Sequence, residues 1–383
     1  MRKLRIVGAV FGVLLLVGGA LLGVAYRASD RLRALGGEPD AYSWLRIRAS
    51  PQFHVDHFEN HEPTSITGGL RPSVLLHWLF GREQRVPTCP LPMVHDAKSR
   101  LAEPSSSGLR ITWLGHSTTL IELDGVKVLT DPQWSERASP VDFAGPRRFH
   151  PPPLALADLP KLDAVVISHE HYDHLDRATV QQLAQQGAHF HVPLGMRAHL
   201  LLWGVPNGQI NEHDWWQGVP LPGAVELIAV PSRHFNGRGR PGGVGALWTS
   251  WTLIGPEHRV FFSGDTGPSQ DMREIAALQG PFDVALLEIG QWDASWGDIH
   301  LGPTAALEAA RTLHARRLLP IHWATFELAF HAWSEPAETL LREAGPRGMA
   351  LVMPMLGEPV EPTLGEAGST WWRNLPPIAA SCP

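Results

Sequence analysis

The chain has 383 residues, enough for one large domain or two small ones around a substantial core. Its formal charge of −6, with 18% charged residues, excludes the strongly basic surface that would recruit nucleic acid. Cys89 and Cys382 lie far apart in sequence and suggest neither a zinc knuckle nor a disulfide framework, so they leave the redox compartment undecided.

In chain order, Met1 to Arg5 is basic, and Ile6–Tyr26 follows as 21 residues without a charge. At ~1.5 Å rise per residue that run is long enough to cross a hydrocarbon core of ~30 Å. The apolar region of a cleaved signal is usually only about 7–15 residues, so an uncleaved single-pass anchor is the favoured reading over a cleaved signal. Arg27, Arg31 and Arg33 nearly balance Arg2, Lys3 and Arg5. The short basic amino-terminal tail favours staying inside, which places the rest of the chain on the external or periplasmic face.

Residues 1–33 are therefore assigned to the anchor and its flanks, and 34–107 to an irregular arm packing on the main domain. Within the arm, Ser73–Phe80 has helix-like apolar spacing, suited to packing or, alternatively, to membrane contact. The main domain is expected over 108–356. Ile111 to Leu114 reads as a strand, and Thr119 to Thr130 as a hairpin turning at Asp124-Gly125. Helices are expected at about 177–186, 195–203, 271–279, 303–315 and 336–344, interleaved with short apolar strands. The tail, 357–383, is rich in Pro and Gly and is expected to be at most partly ordered. Of the 15 tryptophans several lie close together, as in Trp215-Trp216 and Trp371-Trp372. Core packing and an amphipathic rim at a lipid interface explain them equally well.

The most informative stretch is His169-Glu170-His171-Tyr172-Asp173-His174, at the end of the apolar run Ala164–Ser168. An extended backbone points His169 and His171 to one side, and Asp173 and His174 follow where the chain turns. The set suits two adjacent metal ions better than one, because a tetrahedral ion takes only three or four protein ligands. Three further strands end in the same way: Val260–Gly264 at Asp265, Arg317–Ile321 at His322, and Val225–Pro231 two residues before His234. Any one of these alone is more often a turn or a polar histidine. Four strand ends contributing five His and two Asp converge where open α/β sheets place their sites.

His169-x-His171-x-Asp173-His174 with His234, Asp265 and His322 resembles the metallo-β-lactamase fold of binuclear metallohydrolases. Thr112–Ser117, Leu129–Pro132, Ser168–Asp176 and Ile321–Phe326 resemble one branch of it, the branch of N-acylphosphatidylethanolamine-hydrolysing phospholipase D and its bacterial relatives. Arg137–Pro140, Gly145–Phe149 and Gly264–Gly267 strengthen the match, which covers roughly residues 108–345. The alternation of elements and the resemblance both imply an α/β fold, an αββα sandwich of two mixed sheets flanked by helices.

The resemblance further implies that His169, His171 and His234 hold one Zn²⁺, that Asp173, His174 and His322 hold a second, and that Asp265 bridges them. Imidazole and carboxylate suit zinc. Two such ions lower the pKa of a shared water toward ~7, so that it attacks phosphorus as hydroxide. Asp173 and Asp265 would orient it. Substrate contacts are implied at His300, within Gly297–Pro303, and at Tyr172. His116 and Asp131 read either as groups that fix ligand histidines or as buried polar residues satisfying turns.

The expected activity is hydrolysis of N-acylphosphatidylethanolamine or a related glycerophospholipid to phosphatidic acid and an N-acylethanolamine. The alternative is a binuclear metallohydrolase acting on a lactone or small soluble phosphodiester. A non-catalytic envelope protein fits poorly, since buried carboxylates and imidazoles without metal are costly. The expected partners are the phospholipid substrate and the bilayer, with no nucleic acid. A homodimer is compatible with this reading.

Overall fold

The computed structural model describes residues 32–66, 76–77, 80–238, 243–293, 296–365 and 369–375. The anchor expected at Ile6–Tyr26 lies outside the described residues, as does most of Ser73–Phe80. Among the described residues no helix is long and apolar enough to cross a membrane.

The arm opens with helix α1 (Ala41–Ala49), capped by the Asp40 carboxylate, which accepts from Ser43 N–H. A two-stranded hairpin follows, β1 (Phe53–His54) and β2 (His57–Phe58), then α2 (Ala97–Ala102). The main domain starts with β3 (Leu109–Gly115), β4 (Thr118–Leu123) and β5 (Val126–Thr130). The β4–β5 turn falls at Asp124-Gly125, both with positive φ, as a tight hairpin requires. Next come β6 (Ala164–Val166), α3 (Arg177–Gln185), β7 (Phe190–Pro193), α4 (Arg197–Leu202), β8 (Ile210–His213), β9 (Gly218–Pro220) and β10 (Glu226–Val230). The second half contains β11 (Ser250–Ile254), β12 (Arg259–Phe262), α5 (Asp271–Gln279), β13 (Val284–Glu288), α6 (Gly302–Thr312), β14 (Arg317–Ile321), α7 (Glu335–Ala344), β15 (Ala350–Leu351) and β16 (Pro359–Val360).

Two seven-stranded mixed sheets result, in the orders β16-β3-β4-β5-β6-β7-β8 and β15-β14-β13-β12-β11-β10-β9. In each, one half is antiparallel and the other parallel, with the change at β5 and β12. The period-2 alternation of the first sheet decides its layers. Trp113, Ile121, Val128 and Val166 face the second sheet, while Leu114, Leu120, Leu129 and Val165 face the helical layer with Val180, Leu183 and Leu200. On the far side of the second sheet, α5, α6 and α7 bury Ile275, Leu307 and Leu340. All five expected main-domain helices are present, with ends shifted by a residue or a few.

The tail is built into the core where it is described. β16 pairs antiparallel with β3, and Trp371 and Trp372 are buried. Trp323 stacks on Trp113 at 5.5 Å and meets Trp371 at 5.4 Å, while Trp371 Nε1 donates to Pro354 O at 3.0 Å. Indole area outweighs the Pro and Gly content that argued for a loose tail. Nine of the 15 tryptophans are buried, so for these packing is the answer. Cys89 is disulfide-bonded. Cys382 lies outside the described residues.

Because Trp371 closes the stack behind the strand end that carries His322, Trp371→Ala should cost about 3–5 kcal/mol of stability in urea denaturation. A loss below about 1 kcal/mol would detach the tail from the core.

Candidate metal centre

The C-terminal ends of β3, β5, β6, β10, β12, β13 and β14 meet at one edge of the sandwich. Their side chains form groups whose candidate ligand atoms all lie within 4.8 Å of one another. One holds His169, His171, His234 and Asp265; a second holds His116, Asp173, His174 and His322; a third holds Asp265, Glu288, His300 and His322. Close approach of the loops is allowed by Gly264 at φ +54, where a Cβ would stand 2.3 Å from Ser168 Cβ.

The hydrogen bonds assign the ring tautomers. Asp131, fully buried, accepts from Ser168 N at 2.7 Å, from Ser168 Oγ at 2.6 Å and from His174 Nδ1 at 2.7 Å. With its proton on Asp131, the Ser168 hydroxyl accepts from His169 Nδ1 at 2.9 Å. His234 Nδ1 donates to Ile299 O at 2.9 Å, and His322 Nδ1 to Gly290 O at 3.3 Å. Each of these four rings therefore turns an Nε2 lone pair inward.

Those lone pairs face each other and carboxylates. His169 Nε2 and His234 Nε2 stand 2.8 and 3.3 Å from His171 Nδ1. The Asp265 carboxylate lies between the two groups, with Oδ1 3.2 Å from His322 Nε2 and Oδ2 3.2 Å from His174 Nε2. Asp173 Oδ2 is 3.3 Å from His174 Nε2 and 3.4 Å from His322 Nε2. His174 Nε2 and Asp265 Oδ1, both buried, make no hydrogen bond among the described residues. Converging acceptors without donors are what a bound cation satisfies, so the residues present fit divalent metal ions.

The electrostatics agree. Burial opposes ionisation of Asp265, but His174 and His322 outweigh it and hold the carboxyl well below its usual range. Burial likewise opposes a charge on His322, yet Asp265 and Asp173 push it up to about 10. His169 and His234 go the other way, kept well below the usual imidazole range by burial and, in part, by neighbouring imidazoles. Without a cation the carboxylates draw protons onto His174 and His322. A metal ion meets the same negative potential.

A cavity of about 330 Å³ opens over the cluster. Its polar floor is His171, Asp173, Asp265, His300 and His322, and its apolar wall is Ile66, Phe235, Trp296, Ile299 and Leu328. All seven expected ligands are brought together here, with His300 beside them. Tyr172 is not. Between two inward-facing neighbours it points away, donates to Arg238 O at 2.8 Å, lies under the Arg238 guanidinium at 4.2 Å and lines a separate cavity with Arg137 and Arg177. His116 Nε2 bonds Asp173 at 2.8 Å, and with Asp131 it sits against the expected ligands.

Glu288 was missed from sequence. It is fully buried, accepts from Thr266 N–H at 2.8 Å and from His300 Nδ1 at 2.7 Å, and so ties the Asp265 turn to His300. The signal was present, since Val284–Leu287 is an apolar run ending in an acid, the format of the other ligand strands.

The chain matches the Beta-lactamase superfamily domain over residues 127–323 and belongs to that superfamily. It is 44% identical over 355 residues to an uncharacterised protein of Mycobacterium tuberculosis, covering 89% of this chain and 94% of that one. It is 37% identical over 235 residues to N-acyl-phosphatidylethanolamine-hydrolyzing phospholipase D 1 of Caenorhabditis elegans, covering 58% of this chain and 66% of that enzyme. Among solved structures, the metallo hydrolase Igni18 of the archaeon Ignicoccus hospitalis aligns with a TM-score of 0.51 at 25% identity, over 66% of this chain and 97% of that one. Fold, cluster and relatives together define a metal-dependent hydrolase.

Asp265 faces both groups, so Asp265→Ala should lower the metal content at both positions and abolish turnover. Elemental analysis of the purified variant showing an undiminished complement would remove Asp265 from the centre.

Proposed function

We propose that the chain is a phosphodiesterase of phospholipase D type, using two zinc ions, that converts N-acylphosphatidylethanolamine or a related glycerophospholipid into phosphatidic acid and an N-acylethanolamine. The observation that carries this reading is the cavity's division into a floor of metal-capable groups and an apolar wall. A phosphodiester flanked by acyl chains needs both. Similarity to the C. elegans enzyme supports the same substrate class.

The residues that would hold the ions are those the resemblance implies, and they fall in the two neighbouring groups: His169, His171 and His234 for one ion, Asp173, His174 and His322 for the other, with the Asp265 carboxylate facing both groups. Zinc bound there would supply Lewis acidity and would make water acidic enough to ionise near pH ~7. The chain's own groups do the rest. Asp173 and Asp265, held ionised by their histidines, orient the attacking water toward phosphorus. His300, with Nδ1 committed to Glu288, has Nε2 left for the substrate. There it carries a proton to the departing alkoxide oxygen as the P–O bond breaks. Ile66, Phe235, Trp296 and Leu328 hold acyl chain and keep bulk water from the floor.

The disulfide at Cys89 fits an oxidising compartment. With Ile6–Tyr26 as an uncleaved anchor, it supports a catalytic domain on the external or periplasmic face, beside its lipid substrate. Deleting residues 1–31 should release soluble protein that still turns over detergent-dispersed substrate. The deletion stops there because Arg33 O and Ala34 O accept bonds from Trp203 and Arg238. A mature amino terminus near residue 27 would replace the anchor with a cleaved signal.

The central test is a product assay by mass spectrometry on metal-loaded protein, with N-acylated phospholipids, plain phospholipids, lactones and small soluble phosphodiesters. N-acylethanolamine release is the expected result; turnover of lactones or small diesters alone would overturn the reading. In the same assay His300→Ala should keep both metals and lose about 10²–10⁴ in turnover. Depleted zinc in that variant would make His300 a ligand instead.

A further inference from the structure

The arm lies outside the matched superfamily region, yet through Asn60 it bonds directly to a residue of the candidate metal cluster. Asn60 Nδ2 donates to His234 O at 2.8 Å, and His234 N–H donates to Asn60 Oδ1 at 3.1 Å. One side-chain amide thus pairs with both backbone groups of one residue, as a neighbouring strand would. Trp248 Nε1 donates to the same Oδ1 at 2.8 Å and fixes the amide's orientation. β10 ends at Val230, four residues before His234, so this stretch needs partners outside the sheet for its backbone groups.

The surrounding arm is held by independent bonds. His61 Nδ1 meets Asp271 at 2.8 Å, Glu62 accepts from Gln270 N–H at 2.7 Å, and Thr64 Oγ1 accepts from Arg233 Nε at 3.1 Å. Asn60 is therefore presented on a fixed segment. His234 in turn is held at three points, by its two backbone groups on Asn60 and by Nδ1 on Ile299 O, which leaves Nε2 aimed at His169 and His171.

We infer that Asn60 is a positioning residue of the metal centre, setting His234 for the ion it shares with His169 and His171. This rests on the reading of His234 as a ligand. Groups that orient a ligand typically contribute 10–100-fold to metal affinity. Asn60→Ala should weaken one of the two bound ions by about that factor, and leave the ion on Asp173, His174 and His322 unchanged.

The test is a titration of chelator-stripped full-length protein with zinc against a chromophoric competitor, repeated with cobalt(II) to follow the ligand-field spectrum of each site. His61→Ala loosens the arm without touching His234 and should bind both ions as the unsubstituted protein does. Selective weakening of one ion in Asn60→Ala supports the inference. Unchanged affinities, or equal losses in the two variants, overturn it. If Asn60→Ala does not fold, Asn60→Asp keeps the acceptor for His234 N–H and Trp248 and sets a carboxylate oxygen against His234 O where the donor stood. It should weaken the same ion, and an unchanged affinity there would also overturn the inference. Unsubstituted protein that takes up no zinc would sink the ligand reading itself. Two ions bound with the same affinities by it and by Asn60→Ala would sink only the role of Asn60.

Discussion

Asp131 is the group on which the rest of the centre depends. It is fully buried, and its two oxygens take three hydrogen bonds, one from Ser168 N, one from Ser168 Oγ and one from His174 Nδ1. Burial pushes its carboxyl up, with His174 and Ser168 working against that. Through Ser168 it fixes the proton of His169, and directly it fixes that of His174. One carboxylate therefore determines which nitrogen is a lone pair in both halves of the cluster. A carboxamide in its place would offer donors where two donors already point, and the ring tautomers would no longer be specified.

Bringing these groups together is not conformationally free. His116, Asp131, Gln291, His322 and Ala324 follow the ends of β3, β5, β13 and β14 with φ of 51°, 34°, 56°, 65° and 55°. Left-handed backbone at non-glycine residues costs about 1–3 kcal/mol each and persists only where the surroundings enforce it. Here the enforcement is visible. His322 N–H donates to His116 O at 2.9 Å, Trp113 Nε1 donates to the same oxygen at 2.8 Å, and Gln291 is clamped to Phe326 O and Leu328 N–H at 2.8 Å. The abrupt turn after each strand swings a side chain off the sheet face and into the shared edge. The Trp113–Trp323–Trp371 stack behind it keeps the turns from relaxing.

How much of this was legible follows from the range of each interaction. The ligand strands were readable because each is a short apolar run with a metal-capable residue at its end, a purely local pattern. β7 and β8 were not, since Phe190–Pro193 contains a proline and Ile210–His213 is largely polar, and both are strands only because of their neighbours. Tyr172 turns to a separate cavity; adjacency to ligands in sequence says nothing about which way a side chain points. Asn60 carries no motif, and Glu288, although it ends an apolar run like the ligand strands, carries nothing that names its partners. Their roles exist only in pairings across 174 and 12 residues. The tail was undervalued for the same reason, as composition cannot show that two indoles have a slot waiting in the core.

The centre also separates chemistry from choice of substrate. The floor groups fall between His169 and His322, within the region matched by the superfamily. Two residues of the wall do not: Ile66 comes from the arm and Leu328 from the loop beyond β14. The same arm segment that supplies Ile66 holds Asp298 through Ser65, where Gly297 at φ +75 leaves no room for a Cβ against Ser65 O. The loop carrying His300 is thereby fixed to the apolar wall of the cavity. A change at Ser65 or Ile66 would thus alter the apolar wall and the placement of His300 together, while Asp131, Asp173, Asp265 and their histidines stay as they are. Under the phospholipase reading, that coupling sets the distance between the acyl-binding wall and the proton donor, and so selects for a substrate whose leaving oxygen lies at a fixed reach from its hydrocarbon.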